Sequence, residues 1–262
     1  MNADANGPLA WPEPPPADND RATAKPVPTG LAAAAIGQIG AYVLAGLGVL
    51  AFFYDPNTEN RIRDGLWPTV SQFPLLWSGL LFTLFVAARM RKESIRTLTN
   101  FSVRLTDALY IFAGVFLQYA GGLAYTLLKQ NENASKPAED LIDNARNNTL
   151  GFFVLAAAVA IGAPLVEELF YRGLITQGFE RLFRRRLSVR PTFVLSVVAS
   201  GVWFAAIHFQ LLQFPLLFVV GAVCAALTLR EKRLGPAIFV HLGFNLTTVI
   251  ALGLQLRADS GR

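Results

Sequence analysis

A chain of 262 residues that is 53% hydrophobic, with a mean hydropathy of +0.41, carries several apolar runs near the 20 residues that cross a bilayer as a helix, which excludes a water-soluble globular domain. Its formal charge of +5 and pI near 9.6 reside in short loops between those runs, so membrane topology accounts for the bases and no nucleic-acid partner is implied. One cysteine, Cys224, excludes an internal disulfide and a cysteine-ligated metal site.

Backbone groups in lipid are satisfied only within helices or closed barrels, and no alternating barrel pattern is present. The sequence therefore predicts an all-α, polytopic transmembrane helical bundle of about seven spans. Residues 1–28, rich in Pro, Asp and Asn, read as a disordered cytoplasmic tail without the pattern of a cleaved signal peptide. Residues 29–148 hold three N-terminal transmembrane helices and their loops, 149–256 form a helical core, and 257–262 are a short C-terminal tail.

The first span runs over about 31–54. Ala33, Gly37, Ala41 and Ala45 recur every four residues, a stripe that lets a second helix approach closely. A second span covers about 69–88 and ends in Arg89, Arg91 and Lys92. The third covers about 107–128, entered through Thr106 and Asp107 as a helix cap, and a polar loop follows over 129–148. Taken as one helix, 149–186 would be about 55 Å long, far more than a hydrocarbon core, so it either projects into the cytosol or kinks at Pro164. Three spans complete the chain at about 192–209, 211–230 and 235–256. Trp67, Trp77 and Trp203 sit near span ends as interface anchors, and Tyr110, Tyr119 and Tyr125 read as packing groups. Most of the 23 Lys and Arg residues lie on the side of the N-terminus, which predicts a multi-pass protein of the plasma membrane with its N-terminus cytoplasmic.

Inside this apolar background stands Glu167-Glu168-Leu169-Phe170-Tyr171-Arg172. Ionised side chains at bilayer depth need a partner or a task. Glu168 and Arg172 are four residues apart and pair on one helix face, whereas Glu167 points about 100° away and must face something else. The chain has two histidines, His208 and His241, both in apolar segments downstream. The spacing of His241 and Asn245 places them on one face of the last span. A lone intramembrane histidine more often serves as a helix-to-helix hydrogen-bond donor. Two histidines, an Asn and a Glu pair on three helices point instead to chemistry, or to the ion relay of a secondary transporter or proton-coupled carrier. No repeated half with paired broken segments is visible, which weighs against the carrier.

Glu-Glu-x-x-x-Arg at 167–172, Phe-x-x-x-His at 204–208 and His-x-x-x-Asn at 241–245 resemble the CPBP family of intramembrane proteases, the CAAX protease and bacteriocin-processing or Abi family, over about 164–245. The resemblance implies that 149–256 is the catalytic core of an intramembrane metalloendopeptidase of the CAAX protease type. It assigns Glu167 to activating water, Glu168 and Arg172 to orienting the site, His208 and His241 to proton transfer or metal binding, and Asn245 to the oxyanion. A catalytic zinc (Zn2+) or another divalent ion held by Glu167, His208 and His241 is compatible with that donor set, as is no ion at all, and there is no His-Glu-x-x-His run. The implied partners are membrane lipids and a peptide or protein substrate, of prenylated or leader type. Some relatives act as immunity proteins, which keeps a non-catalytic role as a further alternative. Straight helices would leave Glu167 and His208 near opposite membrane faces. Their convergence requires a break over Gly162 to Pro164, strong tilt or a re-entrant segment.

Overall fold

The computed structural model describes residues 30–59, 61–128, 145 and 148–260. The expected tail over 1–28, most of the polar loop over 129–148, and residues 261–262 lie outside the described residues. Among the described residues every regular element is helical, with one isolated bridge between Tyr54 and Ile62. The elements are α1 (Leu31–Phe53), α2 (Leu66–Arg91), the short α3 (Ile95–Thr99), and a 3-10 turn (Leu105–Tyr110) leading into α4 (Ile111–Leu127). They continue with α5 (Thr149–Arg184), α6 (Val189–Ala206), α7 (Phe214–Glu231) and α8 (Gly235–Ser260). Seven are long and apolar enough to cross a membrane, as the sequence predicts. The last helix continues through Ser260, over the start of the segment expected to be a tail.

The bundle is built around α5, which touches α1, α2, α3, α6, α7 and α8. Its sequence explains the central place. Phe170, Tyr171, Leu174 and Ile175 are buried around the whole circumference, and a helix apolar on every side belongs in an interior. The α1/α2 pair packs on one side and the α6/α7 pair on the other, while α8 packs against α7 and α4.

Within α5 the helix does not stop at Pro164. It widens into two π-helical stretches, Ala158–Gly162 and Glu168–Thr176, a distortion that accompanies functional sites in helices. In the first, the Ala163 N–H reaches back five residues to the Ala158 carbonyl. The next donor in that register would be Pro164, which has no N–H to offer Val159. Asn245 of α8 supplies it, donating from Nδ2 to the Val159 carbonyl at 2.8 Å. The expected break at Gly162 to Pro164 is thus a change of helical register. Gly162 also leaves room for the Trp77 ring of α2, which packs against α5 instead of anchoring an interface.

The remaining helices divide into lipid-facing and packing faces. On α4, Phe112, Phe116 and Leu123 are exposed, and the buried residues are Gly114 and Gly121. A Cβ on Gly114 would run into the backbone of Val240 and Phe244. Gly114→Val is therefore expected to destabilise the protein by about 1–3 kcal/mol, the usual range for overpacking, and to lower the unfolding midpoint in detergent. The small-residue stripe of α1 is realised in part: Ala41 and Ala45 are buried and Gly37 lies against Thr83, but the buried face also carries Gln38.

At the α7–α8 turn, Asp107 accepts from the Arg104 backbone N–H at 2.7 Å and pairs with Arg233, while the Gly235 N–H donates to the Ser102 carbonyl. The cap expected of Thr106 and Asp107 is the Asp107 carboxylate, acting from inside the turn. Its hydrogen bond holds the Arg233 guanidinium above its ordinary range and fixes the entry of α8, the helix that carries His241.

Candidate active site

Glu168 and Arg172 are both fully buried, with Oε2 and Nε 3.0 Å apart. The Arg172 guanidinium also lies over the Phe204 ring, 4.8 Å from its centroid, an arrangement that favours a desolvated cation. The second Glu168 oxygen, Oε1, lies 3.0 Å from Nδ1 of His241. A carboxylate accepts, so Nδ1 carries the proton and Nε2 bears the lone pair. That nitrogen is turned toward Glu167, 4.0 Å from its Oε2. Burial separates the adjacent carboxylates: the Glu168 side chain is 0% exposed and that of Glu167 14%. Glu168 is ion-paired with a guanidinium through one oxygen and meets an imidazole through the other, while Glu167 Oε2 is buried with neither an adjacent cation nor a hydrogen-bond partner.

His208 lies just past the end of α6, its Nδ1 donating to the Phe204 carbonyl at 2.7 Å. Its Nε2 is likewise the free nitrogen. Phe204 forms the hub: its ring centroid is 4.7 Å from that of His208, 5.5 Å from His241 and 5.5 Å from Tyr171. Two register changes in α5 flank the turn that ends in Glu167. Glu167 ends one α-helical turn and Glu168 begins a π-helical one, so both carboxylates address α8.

Residues 149–247 match the family model described as Rce1-like, type II CAAX prenyl endopeptidase. Over that segment the chain is similar to the Rce1-like family. No curated protein and no solved structure matches the chain. All six nominated residues, Glu167, Glu168, Arg172, His208, His241 and Asn245, fall inside the Rce1-like segment. Glu167, Glu168, Arg172 and His241 form one contiguous cluster, His208 joins it through Phe204, and Asn245 has one amide N–H committed to the α5 backbone.

Among the described residues no three His, Cys, Asp or Glu side chains gather as a ligand group. The 4.0 Å between Glu167 Oε2 and His241 Nε2 is also wider than the roughly 3.4 Å between ligands of a tetrahedral zinc at bond lengths of about 2.0–2.2 Å. As arranged here, Glu167, His208 and His241 do not form a closed ligand set.

Several residues at the site were not legible from its motifs. Trp203, expected as an interface anchor, donates its indole N–H to Gln38 Oε1 at 2.8 Å, and Gln38 in turn donates to the Tyr171 hydroxyl at 3.0 Å. Tyr42 of the same helix donates to the Ile207 carbonyl at 2.7 Å. Gln38 did carry a signal, since an amide in an otherwise apolar span is costly without a partner. A cavity of about 710 Å³, lined by Trp67, Phe73, Pro74, Trp77, Val154 and Ala158, lies between α2 and the first half of α5. It contains none of the six motif residues.

Proposed function

We propose that the chain is an intramembrane endopeptidase that hydrolyses a peptide bond of a prenylated, CAAX-type peptide with water activated by Glu167. The observation that carries this reading is the 4.0 Å between Glu167 Oε2 and His241 Nε2, two acceptors that face each other. One water spans such a gap, donating a proton to each, which leaves its lone pairs directed at a substrate carbonyl. Glu167 then removes one proton as the water attacks, and returns it to the leaving amine as the tetrahedral intermediate collapses. Glu168 and Arg172 fix the tautomer of His241 in the manner of a carboxylate behind a catalytic imidazole. His208, anchored through Nδ1, exchanges protons at Nε2, and the uncommitted N–H of Asn245 is available to the oxyanion. The cavity beside Trp77 is proposed to take the apolar part of the substrate. The basic loops on the side of the N-terminus favour a cytoplasmic N-terminus in the cell membrane.

Hydrolysis of a farnesylated CAAX peptide by the full-length protein in lipid vesicles tests the reading. Gradient-driven solute uptake without hydrolysis would replace the enzyme with a carrier. Because the three nominated ligands do not close around one point, the rate is expected to survive dialysis against a chelator. Loss of hydrolysis on chelation, restored by zinc alone, would show that the ion belongs to the site and draws the ligands together.

A further inference from the structure

Two polar side chains reach this site from α1, far outside the Rce1-like segment. The buried face of α1 is Ala34, Gln38, Ala41, Ala45 and Val49. Gln38 is 3% exposed and is bonded at both ends of its amide, to Trp203, which precedes the hub Phe204, and to Tyr171, which precedes Arg172. One turn later, Tyr42 holds the other side of the same segment. Its hydroxyl donates to the carbonyl of Ile207, and its ring meets Phe209 edge-on at 5.8 Å between centroids. Ile207 and Phe209 are the two neighbours of His208.

Phe209 has a φ of 53°, in the left-handed region that a bulky side chain avoids. A residue persists there only when its surroundings hold it. Phe209 is 82% exposed, so few contacts restrain its side chain, and the Tyr42 ring is one of them.

We infer that α1 is a positioning element of the active site, in which Gln38 and Tyr42 clamp residues 203–209 so that His208 presents Nε2 to the reacting centre. The inference rests on the reading of His208 as a proton-transfer group, but its test reads the ring directly. With two histidines in the chain, the imidazole 15N spectrum of the full-length protein in nanodiscs contains two ring systems, which His208→Gln assigns. The wild-type His208 is expected to show the Nδ1–H tautomer. Tyr42→Phe keeps the ring against Phe209 and removes the hydroxyl. It is expected to shift the His208 signals toward a tautomer average, to leave those of His241 in place, and to lower kcat on the farnesylated peptide about five- to tenfold, the worth of one hydrogen bond, at unchanged KM. Adding Phe209→Asn, which adopts left-handed backbone more readily, is expected to restore both.

Unchanged His208 signals in Tyr42→Phe overturn the clamp even if cleavage is lost. Equal movement of both histidines, unrescued by Phe209→Asn, is general packing damage and overturns it as well. Shifted His208 signals in a protein whose wild type cleaves nothing keep the clamp and remove the protease. Should Tyr42→Phe fail to fold, Gln38→Met, similar in volume, decides by the same comparison.

Discussion

Glu167→Gln is expected to lower kcat for hydrolysis of a farnesylated CAAX peptide by about 10²–10⁴-fold, the contribution of a positioned general base, while the protein inserts and unfolds as the wild type does. The substitution is isosteric, and Glu167 Oε2 makes no hydrogen bond that an amide would forfeit. A neutral amide still orients water but no longer accepts its proton. The stability of this variant should change by less than that of any substitution at Glu168, because Glu167 balances no buried cation directly. Retention of full hydrolysis by Glu167→Gln would move the base elsewhere and remove the proposed mechanism. His241→Ala provides the complementary check, since it deletes the second acceptor of the same water.

Arg172→Met is expected to give the largest loss of stability, about 3–5 kcal/mol, because it strands a carboxylate in the interior. Glu168 is fully buried, and beyond Arg172 it meets His241, whose single Nδ1–H reaches the other oxygen. The double variant Glu168→Gln/Arg172→Met removes both charges together, keeps an amide oxygen for His241 to donate to, and is expected to recover most of that loss in a denaturation series. It should not recover catalysis. A neutral amide behind His241 supports the imidazole less well than a carboxylate, and a 10- to 100-fold deficit is expected, as for other removed supporting groups. If the double variant were as unstable as Arg172→Met, Arg172 would be acting through its contact with the Phe204 ring and not through charge.

Pattern alone reached much of this protein. Seven apolar runs define seven helices because a span in lipid has little freedom to be anything else, and their ends agree with the sequence reading to within a few residues. The pairing of Glu168 with Arg172 was equally legible, since both lie one turn apart on the same chain segment. Local spacing also put His241 and Asn245 on one face. It misjudged Trp203 and Trp77, whose positions near span ends resemble those of interface anchors, because an indole's partner on another helix leaves no trace in its own neighbourhood.

What the sequence by itself determined is the set of apolar helices and the few ionisable groups that such helices tolerate only at a cost. What tertiary structure decided is which atoms those groups turn toward one another. Glu167 and Glu168 both turn toward His241, and His208 reaches that cluster through the Phe204 ring. The first π-helical stretch of α5 ends just before Pro164, which leaves the Val159 carbonyl without a donor, and Asn245, 86 positions away, supplies one. The setting of His208 likewise depends on Gln38 and Tyr42, each 165 positions from its partner on the 203–209 segment. Hydrogen bonds between helices obey no period along the chain, so only the packed bundle reveals them.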